Sequence, residues 1–339
     1  DGSLSMNPLM SSIQSLTTPR TPIEVSGIRK LFFSQEMVLF LCIIFLLVFV
    51  GLINPRFVSN RNLISLFLGN AYIAVAAIGM SMVIISGNID ISVGSLIGVL
   101  ATVSGILAES GYPIIISWIA PLLLGILVNG VMGVLVAYLR IPSIVVSLGF
   151  MSILKGGLII FTGGAWISNL PEGYALSQLK PFAIPMPIYF MVILTILAAL
   201  WMKVSPFGRT IYAVGGNSEA ARLSGIDPKS TVLRIFLIHG FFVGIASVLF
   251  STQLSVIQST VPSYLELTII TASVVGGVSI LGGTGTVVGS TLAAVLIATI
   301  SSSMIFINIS PFWLRSAQGV LILATVLADL YRRRRQFRN

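Results

Sequence analysis

Apolar runs of about 20 residues recur along this chain, parted by short polar segments. At 1.5 Å of rise per residue, about 20 residues carry a helix across the roughly 30 Å hydrocarbon layer of a bilayer. A helix also satisfies its own backbone polar groups where no water can. The pattern therefore predicts an all-α integral membrane protein. Ten spans are expected, near 37–54, 63–86, 91–109, 113–139, 141–162, 187–203, 231–256, 265–281, 286–306 and 312–330.

Two of these runs are interrupted. Gly87, Asn88 and Asp90 break the stretch 63–109, and Gly282, Gly283 and Gly285 lie between the eighth and ninth spans. Each group reads either as a tight turn at the cytoplasmic face or as a break within the membrane. A shift of 195 residues superimposes Gly87 on Gly282, and Val93-Gly-Ser95 on Val288-Gly-Ser290. Such glycine-interrupted repeats mark solute sites in transporters.

Composition agrees with lipid as the main solvent: 56% of residues are hydrophobic and 9% charged, against about 25% charged in an ordinary globular chain. The net charge of +9 does not point to nucleic acid, because the basic residues gather between apolar runs and at the termini. Arg20, Arg29 and Lys30 precede the first span, and Arg140 follows the fourth. Lys203, Arg209, Arg222, Lys229 and Arg234 lie between the sixth and seventh, and Arg332 to Arg335 near the end. With an even span count these groups share one side, which the positive-inside rule makes the cytoplasm, together with both termini. Arg56 and Arg61 fall on the other side. The organisation expected is a cytoplasmic tail over 1–36, a transmembrane domain over 37–330 and a basic tail over 331–339. Residues 1–5, ahead of Met6, read as an addition, and the tail does not read as a cleaved signal peptide.

The long polar segment 205–227 is the informative connection. Gly215, Gly216, Asn217 and Ser218 predict a turn with a helix cap, Glu219 to Leu223 a short helix, and Gly225 its end. Glu219-Ala220-Ala221, Gly225 four residues later, and then Ile235 and Leu237 resemble the Glu-Ala-Ala loop of ABC importer permeases, although Ile238 stands where that loop usually has proline. Pro206 to Ile226 is similar to permeases of the ribose, xylose and rhamnose type. Ser86-Gly-Asn-Ile-Asp-Ile-Ser-Val-Gly-Ser95 and Val274-Val-Gly-Gly-Val-Ser-Ile-Leu-Gly-Gly-Thr-Gly285 resemble two further motifs of that family, with Asn88 replacing a glycine. The loop 162–172 resembles the subgroup handling rhamnose or autoinducer-2.

The resemblance covers roughly residues 37–330. It implies the ABC importer permease fold, a bacterial inner-membrane location, a second permease subunit (the same or a different chain), a pair of ATPase subunits and a periplasmic solute-binding protein. No lysine here follows a glycine, so the phosphate-binding Gly-Lys-Ser/Thr loop is absent. ATP and Mg would thus be bound by the partner ATPase, and this chain is expected to hold no cofactor or metal. The resemblance assigns ATPase coupling to Arg209, Glu219, Ala220, Ala221, Arg222 and Gly225.

For the solute path or gate the candidates are Asn88, Asp90, Ser92, Ser95, Asn129 and Lys155. An ionisable group among apolar spans is costly unless paired, hydrated or capped. Asp90 or Ser92 is expected to cap a helix beginning near Ile91. Lys155 lies about 22 Å along a helix from Arg140, where it snorkels outward or lines the pathway. Asn129 is suited to bond a neighbouring helix or a hydroxylated solute. His239, the sole histidine, reads as a packed residue beside the close-contact pair Gly240 and Gly244. Glu266 is expected near the outer interface. An ion-coupled transporter remains the alternative, but it would be expected to carry a second intramembrane acid beside Asp90. No nucleophile with a base or metal set suggests an enzyme.

Overall fold

Ser34 opens the first helix by accepting a hydrogen bond from Met37 N at 3.3 Å. In this computed structural model, which describes residues 34–260, 262–310 and 312–336, the helices follow in order. They are α1 (Gln35–Ile53), α2 (Asn60–Ile85), α3 (Val93–Glu109), α4 (Ile114–Ala137), α5 (Ser143–Thr162), α6 (Met186–Val204), α7 (Pro206–Gly216), α8 (Ser218–Leu223), α9 (Pro228–Ser251), α10 (Leu265–Val275), α11 (Val287–Phe306) and α12 (Phe312–Gln336). One two-stranded antiparallel ribbon pairs β1 (Trp166–Ile167) with β2 (Ile257–Gln258). Arg20, Arg29, Lys30 and the segments 1–5 and 337–339 lie outside the described residues.

Each expected span holds a helix, but their lengths differ. Among the described residues, seven are long and apolar enough to cross a membrane: α1, α2, α4, α5, α6, α9 and α11. Shorter apolar helices are Val93–Glu109, Leu265–Val275 and the stretch Phe312–Ala324 of α12. α3 starts at Val93 rather than near Ile91, and α10 stops at Val275 rather than 281, because glycine-rich loops take the remaining residues.

The bundle is built around α2, whose apolar window is 78% buried, against 17% for α1 and α5. α2 packs against α9, α11, α10 and α6. Peripheral helices turn Phe45, Leu52, Leu123, Ile160, Phe161 and Leu197 outward, as lipid-facing surfaces require. Hydroxyl pairs tie the interior, with Ser81 Oγ 2.7 Å from Ser290 Oγ and Thr195 Oγ1 2.9 Å from Thr291 Oγ1. α4 and α9 cross backbone to backbone. A Cβ on Gly244 would lie 2.5 Å from Leu122 Cα, so Gly240 and Gly244 make the close contact their spacing predicts.

The segment 205–227 departs from expectation. Gly215 and Gly216 are not in a turn: Ser205 caps and Pro206 opens a full helix, α7, that runs through Gly216. Asn217 alone parts it from α8. α9 continues unbroken through Ile238, the position where the resembled loop carries proline.

Candidate functional site

Both interruptions end their helices in the same way. After α2, Gly87 has φ +83°, and Asn88 N donates to Val83 O at 3.1 Å and Gly87 N to Ile84 O at 2.9 Å. After α10, Gly277 has φ +97°, with Val278 N donating to Ser273 O at 3.1 Å and Gly277 N to Val274 O at 3.0 Å. This is the Schellman closure that a left-handed glycine permits. In geometry Gly87 therefore corresponds to Gly277, not to the Gly282 that sequence superposition selects, because the second loop is longer before its next helix.

The two loops meet at the end of the bundle that carries α7. Gly283 N donates to Ile85 O at 2.8 Å, and a Cβ on Gly282 would lie 3.0 Å from Gly87 Cα. Tyr212 Oη on α7 donates to Gly285 O at 2.9 Å. Gly215 sits against the Ile85 carbonyl so closely that any side chain there would displace it. The two loops thus share one surface with α7, whose Ile211 and Val214 are buried in the apolar core.

Beyond the first loop the chain turns inward. Asp90 is fully buried; its Oδ1 accepts from Ser92 N at 2.7 Å and Ser92 Oγ at 2.6 Å. Its Oδ2 lies 3.2 Å from Nε2 of His239 on α9. Of the two residues expected to cap here, Asp90 is the one that accepts from the backbone, at Ser92 N. Ser92 precedes α3 but makes no side-chain cap bond, since its hydroxyl turns to Asp90. His239 is not merely packed but partners Asp90. Ser92 Oγ also approaches Met132 Sδ at 3.5 Å.

Ser95 and Asn129 are fully buried, and their side-chain polar atoms have no partner. Asn129 adjoins Gly240, next to His239. Asn88 and Lys155 are not brought to this cluster. Asn88 Nδ2 donates to Ser86 Oγ at 3.1 Å and so closes the turn after α2. Lys155, half-buried on α5, lines a cavity of about 400 Å³ with Ile159, Thr260, Ser263, Tyr264 and Glu266. Glu266 is 8% exposed and is held against Gly94 at the start of α3.

At the α7 end, Asn217 Oδ1 caps α8 by accepting from Glu219 N at 3.1 Å and Ala220 N at 3.0 Å. Gly225, φ +84°, closes it, with Ile226 N donating to Ala221 O at 3.0 Å. Ala221 is buried; Arg209, Glu219, Ala220 and Arg222 are exposed. Glu219 and Arg222 pair with each other, Nη2 to Oε1 at 2.5 Å. The hydrogen bond and charge of Arg222 hold the Glu219 carboxyl below its ordinary range. Leu223 stands 78% exposed beside them, an apolar side chain on a polar surface.

A family profile described as "Branched-chain amino acid transport system / permease component" matches residues 62–328. The chain belongs to this permease family. Similar curated proteins include the autoinducer 2 import system permease protein LsrC of Salmonella typhi, 33% identical over 302 residues, covering 87% of this chain and 86% of that protein. LsrC of Escherichia coli (strain K12 / DH10B) is 31% identical, covering 87% of each. LsrC of Photorhabdus laumondii subsp. laumondii is 32% identical, covering 87% of this chain and 89% of that one. No solved structure matches. The permease is thus a helical, multi-pass membrane protein of a transport system.

Three residues of the permease site escape a local reading of the sequence. His239 has no polar neighbour in sequence to announce its role. Tyr212 looks like an ordinary aromatic of a connector. Glu266 stands beside apolar residues, and its only signal is Gly94, a glycine at a helix start that admits another chain segment.

Proposed function

We propose that this permease is the transmembrane subunit of an ATP-driven, binding-protein-dependent importer for a sugar-like solute, with autoinducer 2 as the favoured cargo. The similarity to autoinducer 2 import permeases supports the cargo, as does the likeness of the 162–172 loop. Two copies of the permease, or this chain and a related one, would stand on a pair of ATPase subunits that bind ATP and Mg. A periplasmic binding protein would deliver solute. The location is the bacterial inner membrane, with α7, α8 and both termini in the cytoplasm.

The observation that carries this reading is the direct bonding of α7 to the loops that interrupt the bundle. Arg209, Glu219, Ala220, Arg222 and Gly225 are the exposed residues of the docking segment around α8, and Ala221 is buried beneath them. Movement imposed there by the ATPase reaches Gly285 through Tyr212, and reaches Ile85 through Gly215. From Ile85 the chain leads within a few residues to Asp90 and Ser92, and Asp90 in turn faces His239 on α9, with Ser95 and Asn129 behind them. Asn88 sets the turn, and Lys155 lines the path. Two alternative packings of these loops, biased by nucleotide, are what alternating access needs.

Sealed vesicles containing the assembled complex test the proposal. Uptake of autoinducer 2 is expected on addition of ATP and binding protein with no ion gradient imposed. Uptake that follows a proton or sodium gradient and ignores ATP would reject it.

A further inference from the structure

We infer that Glu266, with Lys155 and the hydroxyls of Ser263 and Tyr264, forms a station that holds a neutral, polyhydroxylated solute on its way through the permease; this rests on the transport reading above. Among the described residues two carboxyl groups are buried, Asp90 and Glu266, and their surroundings differ. Asp90 is fully engaged: Ser92 supplies two donors to one oxygen and His239 faces the other. The Glu266 side chain makes no hydrogen bond among the described residues, and its Oε2 is buried against Gly94 without a partner. A buried polar atom left in this state costs free energy unless something outside the chain satisfies it. Asp90, although it stands out in the sequence, is therefore a structural partner, while Glu266 is the acid free to bind.

The position of Glu266 favours binding. It lies in the first turn of α10, and it also touches Gly94, the second residue of α3. Two helices thus begin at this carboxyl group, and each presents unpaired backbone N–H groups and the positive end of its dipole. Tyr264, immediately before α10, has φ +63°, a backbone state that costs a bulky residue strain. That conformation places Tyr264 beside the cavity that Glu266 and Lys155 line.

The chemistry of the lining selects the solute class. Glu266 and Lys155 share one cavity yet make no ion pair with each other among the described residues. Lysine nitrogen only donates, carboxylate oxygens accept, and the hydroxyls of Ser263 and Tyr264 do both. A vicinal diol matches this set, since each of its hydroxyls both donates and accepts. One acidic and one basic side chain bring no formal net charge, so a neutral solute leaves the balance undisturbed. The volume, about 400 Å³, falls in the range of small-molecule sites, about 300–1,000 Å³.

The test uses the full complex with its ATPase and binding protein, and three probes: autoinducer 2, D-ribose and L-leucine. Glu266→Met, an apolar replacement of similar length, is expected to raise the KM for uptake of the transported polyol at least about tenfold. The variant should still co-purify with the ATPase. Ser263→Trp, which fills the cavity and leaves the carboxyl group in place, is expected to reduce uptake likewise, and decides the matter alone if Glu266→Met fails to insert. Wild-type KM in inserted Glu266→Met, or wild-type uptake by inserted Ser263→Trp, overturns the station while leaving the importer reading intact. Preference of the wild-type complex for L-leucine overturns the polyol assignment. If the wild-type complex moves none of the three, the importer reading falls, and the station with it.

Discussion

Asp90 and His239, 149 positions apart in sequence, face each other at 3.2 Å with neither side chain exposed to solvent. The contact fastens the entry of α3 to the middle of α9. Removing either partner leaves the other buried and unsatisfied, at a cost of about 1–3 kcal/mol. Asp90→Ala and His239→Ala should each lower Tm in detergent and reduce uptake, and the double variant should lose less than the two together. Additive losses would show that the two groups are not energetically coupled.

Orientation follows from placing α7 and α8 in the cytoplasm. In a Cys42→Ser background, cysteine introduced at Asn217 should stay unlabelled by an impermeant maleimide in intact cells and react after permeabilisation. Labelling in intact cells would invert the protein.

Glu219→Lys and Gly225→Val should leave the permease inserted while weakening its hold on the ATPase. Glu219 pairs with Arg222 and lies in the first turn of α8, where a carboxylate suits the helix dipole. Gly225 needs its positive φ, a state that costs a β-branched residue about 1–3 kcal/mol. Because the folded Glu219 carboxyl lies below its ordinary value of 4.5, its contribution is present above that value and is lost as pH falls through the lowered one. Titration of the Glu219 carboxyl carbon by NMR should show the low value in the wild type and its return upward in Arg222→Gln. Normal co-purification and uptake in both coupling variants would remove 205–227 from the coupling role.

Tyr212→Phe deletes the bond to the Gly285 carbonyl and nothing else, a loss of about 0.5–1.5 kcal/mol. Hydrolysis stimulated by binding protein should persist while solute moved per ATP falls. An unchanged ratio would place transmission elsewhere.

The long spans are legible because the physics that makes them is local: an apolar run either crosses the hydrocarbon layer or does not. Gly225 is legible for the same reason, since a helix end with a left-handed residue is written within a few positions. α7 is less so. Gly215 and Gly216 punctuate the sequence like a turn, yet Gly215 is helical and small because the Ile85 carbonyl lies against it. The Asp90–His239 contact and the seat of Glu266 are illegible for a stronger reason. Both depend on which helices become neighbours, and no local periodicity encodes that. The paired Schellman closures fall between: their glycines are visible, but equal spacing selects Gly282, where the backbone selects Gly277.

The meeting of the two loops is made largely of main-chain atoms: Gly283 N on Ile85 O, and Gly215 against the same carbonyl. Alanine scanning deletes side chains, so it would pass over most of this joint and score its neighbourhood as tolerant. The joint is open to mutation chiefly by addition, through bulk placed on Gly215, Gly282 or Gly283. A screen for transmission defects in this protein should therefore enlarge residues rather than trim them.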